Sequence, residues 1–255
     1  MAPTAIISDI HANIHALRAV LDHARSQGAE RIVCLGDVVG YGAHPEECAD
    51  IARTFAACLR GNHEEATHGS YADFNAEAKA AAIWTRDRLR PGLLSARARK
   101  DRWAFIQGLP KTFEEDGIVH VHGSPRNPVW EYIFDTDCID LIGEVPEKVA
   151  ENLALISGLC LVGHTHIPGI IRQDGSFTTP DKQGAAFELE AGSKAIVNVG
   201  SVGQPRDRNP QACYVIRDGT KLTFHRVEYD VAAAARDISA AGLPPLLGER
   251  LALGM

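Results

Sequence analysis

The sequence predicts an α/β protein in which two packed, mixed β-sheets are flanked by helices, a four-layer αββα arrangement. In the first third of the chain, short apolar runs alternate with helical sequence, as they do in strand–helix–strand units. Beyond residue 169, apolar runs follow one another without intervening helices, which predicts a second sheet. Several runs also end in polar blocks rich in His and Asp, as strands that lead into a functional site often do.

The first elements follow from apolar spacing. Three short runs predict strands at residues 4–8, 31–35 and 56–59. Between the first two, apolar residues recur at helical spacing from Ile14 to Ala24, with Asn13 placed as N-cap and Gly28 as a stop. This part of the chain is therefore a βαβ unit.

The remaining elements divide into a helical part and a strand-rich part. Residues 70–107 form a helical excursion, with helices at 76–89 and 95–106 separated by Pro91-Gly92. Further strands are predicted at 117–121, 155–162, 169–172, 186–189, 195–199, 212–217 and 221–227. Residues 231–255 form a C-terminal packing tail, and the whole chain, 1–255, is expected to be a single domain.

Size and cysteine usage indicate a cytoplasmic protein with a large core. A chain of 255 residues with 45% hydrophobic residues can bury roughly 70 to 75% of its unfolded surface. Its six cysteines show no paired spacing and several fall in predicted strands, which suits a reducing compartment. Neither a signal peptide nor a stretch of about 20 apolar residues is present, so we expect no membrane association.

The charge balance argues against long nucleic acid as a partner. Net charge is -7, and the densest basic run, at residues 97–102, is typical of a solvated helix face. A small anionic substrate stays possible, because bound cations can dominate the local field whatever the overall charge.

Five polar blocks carry the candidate chemistry. They are Asp9-Ile10-His11, Gly36-Asp37, Gly61-Asn62-His63-Glu64, His120-Val121-His122-Gly123 and Gly163-His164-Thr165-His166. Each block alone is weak evidence, but each follows a predicted strand, and such ends meet at one edge of a sheet. Carboxylates, imidazoles and a carboxamide gathered there predict a two-metal phosphoesterase site. His164 and His166 can both bind only if the chain bends there or if two ions lie on either side.

This series of blocks resembles the calcineurin-like metallophosphoesterase superfamily over residues 4 to about 227. The longer stretches at 36–42 and 200–206 are similar to its small bacterial phosphodiesterase branch. The resemblance implies a two-sheet sandwich flanked by helices. It also implies that one ion is held by Asp9, His11 and His166, the other by Asn62, His122 and His164, with Asp37 bridging both.

The implied reaction is hydrolysis by a hydroxide that bridges two ions about 3.5 to 4 Å apart. His63 is the candidate for assisting the leaving group; alternatively it only hydrogen-bonds a neighbouring carboxylate. Asn13 and Arg206 are candidates for contacting substrate phosphate, although Arg206 could equally form a surface salt bridge. His120, which alternates with His122, is expected in the core.

Departures from the family pattern narrow the range of expected substrates. Val38-Val39-Gly40-Tyr41 stands where protein serine/threonine phosphatases have an Asp-Arg-Gly sequence, which disfavours phosphoproteins, and Ala12 stands where the bacterial branch usually has Gly. We therefore expect a hydrolase of small phosphodiesters or nucleotides. The alternatives are a phosphomonoesterase and a non-catalytic metal-binding interaction protein. Mixed N and O ligands suit Mn, Fe, Ni, Co or Zn, with Mn favoured, and the oligomeric state stays open.

Overall fold

A computed structural model describes residues 3–71, 74–138, 144–180 and 185–255. Its strands are β1 (Thr4–Ile7), β2 (Arg31–Cys34), β3 (Ala57–Cys58), β4 (Thr112–Glu115), β5 (Ile118–Val121), β6 (Leu159–Val162), β7 (Gly169–Arg172), β8 (Phe177–Thr178), β9 (Ala186–Glu188), β10 (Ala195–Asn198), β11 (Ala212–Asp218) and β12 (Lys221–Val227). Its α-helices are α1 (Ile14–Ser26), α2 (Pro45–Ala52), α3 (Asn62–Ala66), α4 (Ala76–Leu89), α5 (Arg97–Gly108), α6 (Glu147–Ala154), α7 (Val231–Ala240) and α8 (Leu246–Leu253).

Within those ranges the strands form two mixed sheets of six strands each, which confirms the predicted fold class. The first sheet has the order β3-β2-β1-β11-β12-β9, and its first three strands are parallel. The second has the order β4-β5-β6-β10-β7-β8, with β5, β6 and β10 parallel. Parallel neighbours present their carboxyl ends at the same edge, and all five polar blocks follow strands of these two parallel sets.

The core has layers because side chains alternate along the strands. In β1, Ile6 faces the second sheet and packs in one cluster with Leu161 and Val197. Its neighbour Ile7 faces the opposite way and packs with Leu17 of α1. On the far side, α6 covers the second sheet. The two sheets therefore pack face to face with helices outside.

The first helix begins and ends as its sequence predicts. Asn13 is the N-cap of α1, where its side-chain oxygen accepts a hydrogen bond from Ala16 N at 3.1 Å. Gly28 has φ +82°, the left-handed conformation that glycine adopts most easily after a helix. The N-cap lies only two residues after His11, so it also fixes the loop that follows β1.

Two parts of the strand prediction differ from the structure. The strand predicted over 155–162 begins only at Leu159. Leu155 is instead the C-cap of α6, which ends at Ala154. A short apolar run does not by itself distinguish a strand from a buried helix end. The strands beyond residue 169 also do not form a sheet of their own, because β11 pairs with β1 and brings β12 and β9 into the first sheet. Apolar alternation does not say which edge a strand joins.

The excursion predicted over 70–107 includes residues 72 and 73, which lie outside the described residues; the rest of it contains α4 and α5. The tail contains α7 and α8, which pack together with Tyr41 and with Ala81 of α4. The extent of the domain, 1–255, stays a prediction. In the described parts of the chain, no helix is long and apolar enough to cross a membrane.

Candidate metal centre

The loops that follow β1, β2, β3, β5 and β6 meet at one edge of the two sheets. The seven predicted ligands and His63 all lie there and are all buried, namely Asp9, His11, Asp37, Asn62, His63, His122, His164 and His166. So many polar side chains are expensive to bury unless they are paired or bind ions. The arrangement of their donor atoms therefore decides what the site can do.

Asp9, His11 and His166 form the first group. His166 Nε2 lies 3.1 Å from Asp9 Oδ1 and 3.0 Å from His11 Nε2. The backbone N–H of His164 donates to the other oxygen, Asp9 Oδ2, at 3.0 Å and so fixes the carboxylate. Two imidazole nitrogens and one carboxylate oxygen thus converge on one point.

Asn62, His122 and His164 form the second group. His122 Nε2 lies 3.2 Å from Asn62 Oδ1 and 3.0 Å from His164 Nδ1. Asn62 is the first residue of α3, so its position is set where the chain leaves β3. This group also brings two imidazole nitrogens and one oxygen together.

Asp37 lies between the two groups. Its Oδ2 atom is 3.7 Å from His11 Nε2 in the first group and 3.4 Å from His122 Nε2 in the second. Its Oδ1 atom accepts a hydrogen bond from His63 N at 2.8 Å. Gly61 makes this approach possible, because a Cβ there would lie 2.0 Å from Asp37 Oδ1. One oxygen of Asp37 is therefore available to both groups.

Backbone carbonyls orient three of the imidazoles. His11 Nδ1 lies 3.3 Å from Val39 O, and His166 Nδ1 lies 2.6 Å from Gln204 O. In His164 the roles of the nitrogens are exchanged, since Nε2 lies 3.2 Å from Trp130 O and Nδ1 faces the second group. A ring N–H that donates to a carbonyl leaves the other nitrogen with its lone pair directed into the site.

The backbone of these loops adopts unusual conformations. Seven of the nine non-glycine residues with positive φ in the described chain belong to this region: Asp9, His11, Ala12, Asp37, Tyr41, His164 and His166. Each such residue costs of order 1 to 3 kcal/mol, which the surrounding structure must offset. At His164 and His166 the bends answer the question raised by their spacing, because they let both side chains face the site, one toward each group.

Burial and neighbouring charges set the protonation of the imidazoles. Burial, followed by the charge on His122, lowers the pKa of His164 to about 3. Burial, followed by the charge on Arg206, lowers the pKa of His166 to about 3 as well. For His122 burial acts in the same direction, but the charge on Asp37 and a hydrogen bond to it outweigh burial and raise the pKa to about 9. Neutral His164 and His166 are ready to act as ligands.

Glu64 connects two of the loops. Its Oε2 atom accepts from Asp37 N and from Gly61 N, both at 2.8 Å, and its Oε1 atom accepts from Val39 N at 3.1 Å. Burial, followed by the charge on Asp37, raises its pKa to about 7. The sequence placed Glu64 in a polar block but gave it no role, and the Gly-Asn-His-Glu block was the signal available.

His63 lies beside His11 and Asp37 and is packed among rings. Its ring centroid is 4.8 Å from that of His11, 4.4 Å from that of Tyr41 and 4.7 Å from that of Phe74. Its Nδ1 atom is buried and has no hydrogen-bond partner in the described structure. Burial lowers the pKa of His63 well below its usual value, so the ring is neutral near pH 7.

Asn13 and Arg206, the two candidates for substrate contact, lie differently. Both polar atoms of the Asn13 side chain bind the protein itself, since Oδ1 caps α1 and Nδ2 donates to Gly203 O at 2.9 Å. Arg206 donates to Gln204 Oε1 at 2.8 Å and packs against the Tyr41 ring. No carboxylate among the described residues pairs with Arg206, and its Nε is buried without a partner. Contact of either residue with substrate stays a prediction.

Aromatic rings lie against both groups, and Tyr41 contacts His11 of the first. Tyr132 stacks on His164 with 3.6 Å between ring centroids and an angle of 17°, and Phe134 stacks on Tyr132 in turn. Phe74 joins this set by contacting both His63 and Trp130. We call Tyr41, Phe74, Trp130 and Tyr132 the aromatic rim. Phe74, Trp130 and Tyr132 had no role in the sequence analysis, and Tyr41 entered it only as part of the loop that replaces Asp-Arg-Gly, because the sequence pattern does not show which rings turn inward.

The donor set fits divalent transition-metal ions. In each group nitrogen and oxygen ligands converge, and in each a pair of imidazole nitrogens faces one another at 3.0 Å. Asp9 Oδ1 and His122 Nδ1 are also buried without hydrogen-bond partners within the described ranges. The first group, Asp9, His11 and His166, is one of the side-chain clusters that could hold an ion, and Asp37 forms another with His122 and His164 of the second group. Mixed N and O donors without thiolate suit Mn, Fe, Co, Ni or Zn.

A family model agrees with this geometry. The calcineurin-like phosphoesterase superfamily domain matches residues 3–221. The chain belongs to this superfamily. It is therefore a metallophosphoesterase, a hydrolase that acts on phosphoric ester bonds and uses divalent metal ions.

Similar proteins match this metallophosphoesterase over its full length. An uncharacterized protein of Methanocaldococcus jannaschii is 36% identical, covering 98% of this chain and 97% of its own. The crystal structure of a metallophosphoesterase from Sphaerobacter thermophilus is 38% identical, with a TM-score of 0.82 and 99% coverage of both chains. A hypothetical protein from Pyrococcus horikoshii, 20% identical, shares the fold with a TM-score of 0.73, covering 100% of this chain and 99% of its own.

Proposed function

We propose that this metallophosphoesterase uses two metal ions to hydrolyse small phosphodiesters or nucleotides. The observation that carries the proposal is the position of Asp37, whose Oδ2 atom lies between two groups of three ligands each. Asp9, His11 and His166 would hold one ion, Asn62, His122 and His164 the other, and Asp37 would bridge them. When bound, two such ions lower the pKa of a shared water and neutralise phosphate charge.

His63 would serve the leaving group. It is adjacent to Asn62 in the chain, it lies beside His11 and Asp37, and Tyr41 and Phe74 hold its ring in place. Because burial keeps the imidazole neutral, its N–H would stabilise the leaving oxygen by a hydrogen bond as charge develops there. No carboxylate accepts from its buried Nδ1 in the part of the chain described, which weighs against the alternative of a purely structural hydrogen bond.

The aromatic rim favours a substrate that carries a ring. Trp130 is the ring of this rim that would stack on a nucleobase, because Tyr132 is already stacked against His164 and Phe134 whereas Trp130 meets Phe74 edge to face. Such stacking contributes about 1 to 3 kcal/mol per base. Arg206 lies at the same edge and would contact phosphate oxygens. A small nucleotide-like diester accounts for both features. We also propose that the chain acts as one cytoplasmic domain, in keeping with its six cysteines, none of which is in a disulfide.

A substrate screen tests the proposal. Protein reconstituted with Mn²⁺ should cleave bis(p-nitrophenyl) phosphate and dinucleoside polyphosphates faster than p-nitrophenyl phosphate, and Asp37→Ala should abolish the activity. Metal analysis of Asp37→Ala should show occupancy falling at both positions, whereas full occupancy would rule out bridging. Efficient cleavage of monoesters with diesters untouched would replace the proposal with a phosphomonoesterase. Absence of any hydrolysis would favour a non-catalytic metal-binding protein.

A leaving-group comparison tests His63. The variant His63→Ala should keep both ions but lose roughly 10² to 10⁴ in kcat on substrates with poor leaving groups. Activated aryl esters, whose leaving groups need little help, should lose much less. Equal losses on both kinds of substrate would point to a structural role instead.

A further inference from the structure

Three side chains far apart in sequence meet at a second place on the molecule. His15 lies in α1, His44 immediately precedes α2, and Asp237 lies in α7. His15 Nε2 is 2.7 Å from Asp237 Oδ2, and His44 Nε2 is 2.8 Å from the same oxygen. None of the three belongs to a polar block that follows a strand, so sequence reasoning left both histidines without a role.

The donor atoms are placed as metal ligands are. All three lie within 4.8 Å of one another, and both imidazoles present the same nitrogen, Nε2. Glu47 Oε1 lies 3.3 Å from His44 Nδ1, the nitrogen directed away from the cluster. An acidic acceptor in this position holds a ligating imidazole in the tautomer that leaves Nε2 free for the metal.

The degree of exposure also suits a metal ion. The side chains of His15, His44 and Asp237 are 30%, 28% and 38% exposed, so water can complete the coordination. Ligands held at about 2.0 to 2.2 Å from one ion at tetrahedral angles lie roughly 3.3 to 3.6 Å apart. Each imidazole nitrogen, now 2.7 or 2.8 Å from Asp237 Oδ2, would therefore move away from that oxygen by roughly half an ångström or more to admit the ion. Two nitrogens and one carboxylate select a transition-metal ion such as Zn²⁺, because Ca²⁺ and Mg²⁺ prefer oxygen ligands.

We propose that His15, His44 and Asp237 bind one divalent transition-metal ion, separate from the two of the buried centre. The ion would fasten the C-terminal helices to the body of the protein, since its ligands come from α1, from the segment before α2 and from α7. The helix pair α7–α8 packs on Tyr41 and Ala43, just before His44. Tyr41 in turn contacts His11 and His63, so the helices cover one wall of the catalytic site.

Zn²⁺ binding tests the proposal. Metal-stripped protein dialysed against Zn²⁺ should bind one equivalent more in the wild type than in Asp237→Asn or His15→Gln/His44→Gln. The surface variant His68→Gln is the matched control and should retain the extra equivalent. Because the buried centre is intact in all four proteins, its own ions cancel in the comparison, and the result does not depend on the proposed phosphodiesterase activity. Equal stoichiometry in all four proteins would overturn the site.

A second measurement needs only the folded wild type. The imidazole ¹⁵N resonances of His15 and His44, assigned through their own backbone signals, should shift as Zn²⁺ is added beyond the amount that fills the buried centre. In the same titration, the C-terminal helices should become more resistant to limited proteolysis. Resonances that respond to acid but not to Zn²⁺ would identify the cluster as a plain ion pair and refute the proposal, even if a variant failed to fold.

Discussion

Glu64 shows how one buried carboxylate can position several other residues. It accepts three backbone N–H groups, two from the loop after β2 and one from the loop after β3. Those loops carry Asp37 and His63, and the bond from His63 N to Asp37 Oδ1 joins them a second time. Glu64 contacts neither ligand group itself. Its contribution is therefore to hold the loops at a fixed distance, so that Asp37 stays between the two groups.

Replacing Glu64 with Gln should destabilise the protein and loosen the centre. The amide NH₂ cannot accept, so at least one buried N–H is left unpaired, at a cost of about 1 to 3 kcal/mol in the free energy of unfolding. The adjacent variant Glu65→Gln, which breaks ion pairs with Lys111 and Arg60, should cost less than about 1 kcal/mol. Urea denaturation and metal analysis of both variants provide the comparison, and equal losses would contradict a special role for Glu64.

The loop between β2 and α2 shapes the wall of the site at the scale of an element. Gly40 has φ +94°, and a Cβ at this position would lie 2.1 Å from His63 Nδ1. The absence of a side chain at Gly40 therefore leaves the space that the His63 ring occupies. Tyr41, the next residue, also has positive φ and packs against the His63 ring from another side. This loop replaces the Asp-Arg-Gly sequence of protein phosphatases, and it supports His63 by packing.

A matched pair of glycine variants separates packing from backbone strain. Gly40→Ala should displace the His63 ring and lower kcat by about 10²-fold, since catalysis is sensitive to shifts near 1 Å. Gly69→Ala places the same methyl group at a similar φ of +103°, but in open space. It should therefore lose stability through backbone strain alone and keep its activity. Kinetics and thermal denaturation of the two variants test this. Similar kcat values in both would show that the contact with His63 does not matter.

The elements that the sequence predicted best are those in which local pattern and tertiary role coincide. The loops carrying Asp9, Asp37 and His122 follow strands in an apolar pattern that is readable without the structure. The sequence pattern could not predict contacts between single residues that lie far apart in the chain. Tyr132 contacts His164 from an irregular segment, and Asp237 contacts His15 from the far end of the chain. Periodicity describes one element at a time, so contacts made between elements remain hidden in it.

At the scale of the whole molecule, the fold buries histidines outside the site that must stay uncharged. His120 of β5 is buried, and its Nδ1 lies 3.1 Å from Ile118 O and 3.3 Å from Phe113 O. Burial lowers its pKa from 6.5 to about 4. Burial, followed by the charge on His23, likewise lowers the pKa of His225 in β12 to about 4. In this pH range the folded protein therefore binds fewer protons at these two histidines than the unfolded chain does.

This linkage predicts that lowering the pH below 6.5 destabilises the fold through its buried histidines. Between pH 6.5 and 4 the unfolded chain protonates His120 while the folded chain does not, so the free energy of unfolding falls as the pH is lowered. One such group contributes a slope of up to about 1.4 kcal/mol per pH unit in that window and none above it. Urea denaturation of metal-stripped protein across this range should give a shallower slope for His120→Gln than for the wild type. The variant His68→Gln controls for loss of a surface histidine. Identical slopes for His120→Gln and the wild type would mean that His120 titrates alike in both states, and that water reaches it inside the sandwich.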